Sequence, residues 1–220
     1  MNPSQVSPLS CRFCLSYSGP SADLVGSFIL VAMADEVEIK FQIDDLQRLT
    51  RALQEAGFQL KTPRTHEMNT LYDRRGQPLR RKGELLRLRQ YGSEWILTHK
   101  AKGKAGRHKT RAETEVALED GTQMDAILRN LGYQPSFRYE KFRAEWSDGT
   151  GKVVVDETPI GNIGEIEGSP EWIDRTAKRL GIAAKQYITA SYAELFHAWK
   201  KRTRNPAREM TFAEVGGNTT

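Results

Sequence analysis

Glu36-Val37-Glu38-Ile39-Lys40-Phe41 alternates without a break. Successive side chains of an extended chain point to opposite faces, so Glu36, Glu38 and Lys40 share one face of a strand and Val37, Ile39 and Phe41 the other. The same signature recurs downstream. Arg87 and Arg89 alternate with Leu86 and Leu88, and a tight turn at Gly92-Ser93 leads to a strand over 95–102 carrying Lys100 and Lys102. Arg111, Glu113 and Glu115 share a face of 110–118. Tyr139, Lys141, Arg143 and Glu145 share a face of 136–146, Asp156 lies in 152–157, and Glu165 and Glu167 lie in 164–168.

Between these strands the pattern predicts helices. Asp44 or Asp45 caps one bearing Leu46, Leu49 and Leu53 and stopped by Gly57; a second runs over 122–131 to Gly132. Each follows a strand with spaced glutamates and each ends in a Gly-aromatic pair, Gly57-Phe58 and Gly132-Tyr133, which suggests two similar halves. Two more helices are expected over 170–180 and 188–201. Residues 58–82 are harder to read; a strand near Asn69–Asp73 and a turn at Gly76-Gln77-Pro78 are expected. Residues 103–109 read as a flexible basic loop, and 203–220 as a loose polar tail.

The chain of 220 residues suits one domain with ragged ends, and its net charge of +5 suggests an anionic partner without naming it. Residues 1–33 read as a disordered leader or an extension of the gene ahead of Met33. The apolar run 24–34 is too short to span a bilayer as a helix, so no membrane partner is expected and the cytoplasm is the default compartment. Cys11 and Cys14 are too few for a disulfide framework, and no second pair of ligands would complete a zinc site. There is no glycine-rich phosphate loop of the P-loop kind. Basic residues are interleaved with carboxylates, and Phe41, Phe142 and Trp146 fall on the opposite face from the cations, so nucleic acid is not the expected partner.

A half-buried strand ordinarily pairs an apolar face with a mixed neutral-polar one. Here the polar faces are charged in strand after strand, and helical apolar stripes are available to cover the other faces. An α+β fold that closes the sheet with helices outside places the charges in a lumen. Burying them is tolerable where opposite signs meet and a ligand completes them. Arginine forks and lysine point charges suit phosphate oxygens. Carboxylates two residues apart on one face can share a hard cation such as Mg²⁺ or Mn²⁺, which commonly bridges to substrate phosphates. His99 faces away from Lys100 and His108 sits in the loop, so neither is expected to act as a base.

The series Glu36-x-Glu38-x-Lys40, Arg87-x-Arg89, Thr98-x-Lys100, Arg111-x-Glu113-x-Glu115, Lys141-x-Arg143, Asp156 and Glu165-x-Glu167 resembles the CYTH superfamily over residues 34–202, as does the Ser191-Tyr192-Ala193-Glu194-Leu195 stretch. That family unites CyaB-type class IV adenylate cyclases with thiamine and inorganic triphosphatases. The resemblance implies a closed eight-stranded antiparallel β-barrel, a triphosphate tunnel. It implies Lys40, Arg87, Arg89, Lys100, Lys141 and Arg143 as triphosphate binders, with Lys102 and Arg111 as looser matches, and Lys40, Arg87, Arg89 and Lys141 as the catalytic set. It implies Glu36, Glu38, Glu165 and Glu167 as metal ligands, with Asp156, Glu113 and Glu115 beside them, and Mg²⁺ or Mn²⁺ as cofactor. The expected substrate is a nucleoside triphosphate or inorganic polyphosphate, and a homodimer is compatible. The expected activity is that of a class IV adenylate cyclase making cyclic AMP and pyrophosphate from ATP; the alternatives are a triphosphatase and a non-catalytic polyphosphate-binding module.

Overall fold

The computed structural model describes residues 34–104 and 106–216. The readings of the leader and of Cys11 and Cys14 lie outside the described residues. Eight strands, β1 (Ala34–Gln42), β2 (Gln59–Asp73), β3 (Leu85–Tyr91), β4 (Glu94–Lys100), β5 (Lys109–Leu118), β6 (Gln134–Ser147), β7 (Lys152–Thr158) and β8 (Gly161–Glu167), close into an antiparallel barrel in the order β1-β5-β4-β3-β2-β6-β7-β8. Exchanging β1–β4 with β5–β8 reproduces every neighbour pair in that order, so the two halves suggested by the sequence are related by a pseudo-twofold arrangement.

The local chemistry repeats with the topology. α1 (Leu46–Glu55) follows β1 and α3 (Gly121–Asn130) follows β5. Asp45 accepts the Arg48 N–H at 2.9 Å, and Asp120 accepts those of Thr122 and Gln123 at 2.7 and 3.0 Å, so both helices open on an aspartate cap. Both stop at a left-handed glycine, Gly57 (φ +79°) and Gly132 (φ +85°).

The helices cover the outer faces of the barrel. Leu49 and Leu53 of α1, with Trp172, Ile173 and Ala177 of α4 (Pro170–Arg179), pack against Ile39, Phe41, Val153, Val155 and Ile166. Each such side chain contributes about 1.5–3 kcal/mol on burial. Phe41 lies flat across Gly164, its register partner; a Cβ there would come within 2.1 Å of the ring. Leu128 of α3 covers Tyr72 and Leu88, and Phe196 of α5 (Tyr192–Thr203) covers Ile163 and Met210. Among the described residues no helix is long and apolar enough to cross a membrane.

Three segments depart from expectation. β2 begins at Gln59, ten residues ahead of the expected strand, and register shifts at Leu60/Thr62, Thr62/Thr65 and Leu71/Tyr72 break its alternation. The expected turn at 76–78 opens a short helix, α2 (Pro78–Lys82), because the Asp73 carboxylate accepts the N–H groups of Leu79 and Arg80 at 3.2 and 3.0 Å. The tail is not loose over 204–216. Met210 is fully buried and exchanges backbone hydrogen bonds with β6, its N–H donating to Arg138 and its carbonyl accepting from Glu140, both at 3.0 Å. The free edge of β6 beyond its pairing with β7 would otherwise expose these backbone groups. Phe212 packs on Phe142, and α6 (Phe212–Val215) follows.

Candidate functional site

A cavity of about 930 Å³ lies within the barrel. Glu36, Glu38, Lys40, Arg87, Arg89, Lys100, Lys102, Arg111, Glu113, Glu115, Lys141, Arg143, Glu165 and Glu167 all line it. The closed strand order gathers the glutamates and sets most of the arginines apart from them. Glu36 and Glu38 on β1, Glu113 and Glu115 on β5, and Glu165 and Glu167 on β8 occupy three adjacent strands. Arg87 and Arg89 on β3 and Lys141 and Arg143 on β6 lie on the strands opposite. An acidic wall thus faces a basic one.

Two lysines in the lumen pair with four carboxylates of the acidic wall. Lys40 lies 2.7 Å from Glu38 and 3.1 Å from Glu165; Lys100 lies 2.6 Å from Glu36 and 2.9 Å from Glu113. Burial works against ionisation at Glu38, yet Lys40, with Lys109 and Lys100 behind it, holds the carboxyl down at about 2. Lys40 responds in the opposite sense: its burial is outweighed by Glu165 and Glu38, which hold it firmly protonated. Glu113 is different. Burial raises it, Lys100 opposes, and the neighbouring Glu36 and Glu115 add to the rise, leaving it pushed up to about 7. A crowd of oxygen donors that repel one another in this way fits a hard divalent cation. Among the described residues no three such groups already converge to hold one, because a lysine or arginine stands between them.

On the basic wall, Arg143 grips Asp156 through two hydrogen bonds, 2.8 Å from Nε and 2.7 Å from Nη2, and reaches Glu165 at 2.6 Å. Lys141 donates to Asp156 at 2.9 Å. Asp156 does not line the cavity. It is fully buried behind the lining, bonded also by the Tyr192 hydroxyl, and its geometry is that of a residue positioning Lys141 and Arg143. Glu115 likewise serves the cations: it accepts from Thr98 at 2.7 Å and from Arg87 at 3.2 Å. Although burial pushes the other way, these contacts hold its carboxyl down at about 2. Arg111 lines the cavity but donates to the carbonyls of Ala101 and Gly83, at 3.2 and 3.3 Å.

Several groups in the lining or buried behind it escaped the sequence reading. Lys109 stands 3.5 Å from Glu38, at the first position of β5 rather than in a loop. Glu67, fully buried on β2, lies 3.4 Å from Lys141 and 3.8 Å from Arg143. Burial disfavours its charge, but Lys141, Arg143, Arg89 and Arg87 hold it well below the ordinary carboxylate range. Asn69 donates to Glu67 at 2.9 Å. Both lie in the regular part of β2, paired with Lys141 and Tyr139 of β6, where one glutamate and one asparagine make no repeated charge. Tyr192 was noted only as part of a closing helix, yet its ring lies under the Lys141 ammonium at 4.5 Å.

Fold and site together define a closed barrel whose lumen holds both signs of charge, with the glutamates concentrated on β8, β1 and β5 and arginines on β3 and β6 opposite. The CYTH domain family matches residues 34–192, and the chain belongs to that family. A Methanocaldococcus jannaschii protein with the provisional name of adenylate cyclase is 30% identical over 171 residues, 73% of this chain and 97% of that protein. A structure from Vibrio parahaemolyticus, also provisionally named adenylate cyclase, superposes with a TM-score of 0.69 at 16% identity, covering 76% of this chain and 99% of that one. A Hippeastrum structure, described as a provisional adenylyl cyclase with a dominant triphosphatase activity, gives a TM-score of 0.55 at 20% identity over 74% and 95% of the two chains. These two structures share the fold.

Proposed function

We propose that this chain is a metal-dependent enzyme that draws a nucleoside triphosphate into the tunnel and converts ATP to cyclic AMP and pyrophosphate. The observation that carries the reading is the glutamate-rich wall facing an arginine-bearing wall across one cavity of the barrel. A protein that merely held an anion would need the cations but not the row of glutamates. The provisional name of the archaeal relative supports the choice of ATP.

Arg87, Arg89, Lys141 and Arg143 take the phosphate oxygens, Arg143 and Lys141 already aimed by Asp156. Lys40 and Lys100 move their charge from carboxylates to phosphates, and Glu36, Glu38, Glu165 and Glu167, with Glu113 beside them, become free to hold Mg²⁺ or Mn²⁺. When bound, the metal neutralises phosphate charge and stabilises the leaving oxygens. Glu113, facing the lumen beside these ligands, accepts the proton of the attacking hydroxyl. Positioning and charge compensation supply most of the acceleration. The cytoplasm, where ATP and Mg²⁺ are plentiful, is the compartment that suits this chemistry.

Hydrolysis of a triphosphate is the second reading, favoured by the charged lining that grips phosphates along the lumen whatever they are attached to. Product analysis tests both. Purified protein is incubated with Mg²⁺ or Mn²⁺ and either ATP or inorganic triphosphate. Cyclic AMP with pyrophosphate supports the cyclase; orthophosphate without cyclic AMP replaces it with a triphosphatase. Binding of either compound without turnover leaves a sensor.

A further inference from the structure

Four aromatic rings stand in line along one side of the cavity. Tyr192 stacks on Tyr139 with centroids 5.5 Å apart and planes inclined by 20°; Tyr139 stacks on Phe137 at 5.9 Å and 23°; Phe137 meets His197 at 6.5 Å and 29°. All four line the tunnel. The ladder starts where Tyr192 underlies the ammonium groups of Lys141 and Lys40, at 4.5 and 5.6 Å, and ends at the exposed His197. Arg208, also exposed, lines the same cavity.

Tyr139 and Tyr192 are also members of the buried cluster that Phe196, Met210 and Ile163 complete, with Phe137 packed against it, so the inner rungs serve the packing of α5. His197 is the one rung left exposed. The ladder runs from the cations to the exposed ring of His197, which borders the cavity. His197 and Arg208 lie beyond the family match, which ends at residue 192. They come from α5 and from the tail segment that Met210 anchors to β6. The docked tail therefore contributes a cation to the cavity.

We propose that Phe137, His197 and Arg208 form a nucleobase subsite: the base of a nucleoside triphosphate lies against the Phe137–His197 end of the ladder, and the Arg208 guanidinium donates hydrogen bonds to its ring acceptors or to the ribose. This rests on the reading that the tunnel takes a nucleoside triphosphate. The phosphates then run inward past Tyr139 to Lys141 and Arg143. The geometry suits a planar base because every base has a π-face for an aromatic platform, and arginine both stacks and donates.

The test is calorimetric titration of the full chain with ATP and, separately, with inorganic triphosphate, each with Mg²⁺, for wild type, His197→Ala, His197→Phe and Arg208→Ala. Stacking on one aromatic is worth about tenfold in affinity. His197→Ala and Arg208→Ala are each expected to lower the preference for ATP over inorganic triphosphate about tenfold, and His197→Phe to restore it. An unchanged ratio in both alanine variants overturns the subsite. So does an equal loss for the two ligands, which makes these residues supports of the barrel or phosphate ligands. Failure of wild type to bind either compound counts against the triphosphate reading itself; binding of triphosphate but not ATP by wild type rejects the base subsite alone.

Discussion

Glu67→Gln isolates the charge balance of the lumen from its shape. The side chain is fully buried, 3.4 Å from the Lys141 ammonium and 3.8 Å from Arg143. At an effective dielectric of about 20, a unit pair at 3.4 Å attracts by about 5 kcal/mol. Removing one partner of a buried pair costs about 3–5 kcal/mol. Lys141 and Arg143 keep Asp156 in the variant, so the lower end applies, about 3 kcal/mol. For a domain of this size that is a fall in Tm of roughly 6–12 °C, read by calorimetry at neutral pH. A second arm separates charge from packing. Inorganic triphosphate with Mg²⁺ returns negative charge to the same cations, so the ligand-induced rise in Tm should be larger in the variant than in wild type. The pH dependence has a definite sign. The folded carboxyl lies below its ordinary value of 4.5, so its contribution is complete above that value and is lost as pH falls toward the folded pKa. The gap between wild type and variant should therefore narrow below pH 4.5. An unchanged Tm at neutral pH, or a gap that widens in acid, would refute the charge-balance account.

Glu36→Ala or Glu38→Ala should cut metal-dependent turnover by at least about a hundredfold with the circular dichroism spectrum unchanged; wild-type activity in either would remove these residues from the metal site. Arg87→Ala should raise the KM for the triphosphate about tenfold or more, since a charge-assisted hydrogen bond to a phosphate is worth about 1.5–3 kcal/mol, and an unaltered KM and kcat would place that side chain outside the binding path. Met210→Ala, which empties a fully buried position, should destabilise by about 2–5 kcal/mol in a denaturant titration, whereas a neutral result would show that the tail is not docked in solution. Glu113→Gln should flatten the apo-protein's stability between pH 4.5 and about 7. The raised folded pKa makes wild type bind more protons than its unfolded chain in that window, so wild-type stability falls as pH rises through it; identical slopes would show that Glu113 ionises normally.

Most of the barrel was legible because its strands alternate strictly. In β1, β3, β5, β6 and β8 the charged and apolar residues keep a two-residue period, and the period alone assigns the lumen face. The two helical caps and glycine stops were legible for the same reason: each is a local chemical device. β2 was not, because register shifts interrupt its period on both sides of 65–71, and within that regular stretch Glu67 and Asn69 make no repeated charge to announce their buried face. The tail was missed for a different reason. Nothing in 204–216 shows a period, and its order comes from an unpaired edge of β6 more than sixty residues earlier. Asp156 was legible as a buried carboxylate of the lumen strands but not as one spent on Lys141, Arg143 and Tyr192, since the length of side chain between strand and cavity cannot be read from spacing.

The scatter of the motifs along the chain has a topological reason. Glu36-x-Glu38 and Glu113-x-Glu115 begin the two halves, and the pseudo-twofold arrangement makes those two leading strands neighbours, with Ala34 opposite Glu113 and Glu36 opposite Arg111. The last strand of the second half then closes onto the first strand of the first, setting Glu165 opposite Lys40 and Glu167 opposite Glu38. One acidic wall is thus assembled from three separate motifs by closure alone. The last strand of the first half, β4, closes onto β5 in the same way and brings Lys100 opposite Glu113. A lysine therefore stands at both seams, Lys40 within the acidic wall and Lys100 at its border, each shared between two carboxylates. These are the charges a triphosphate and its metal can exchange places with at least cost, because the basic wall supplied by β3 and β6 is already oriented by Glu67, Glu115 and Asp156 and need not move.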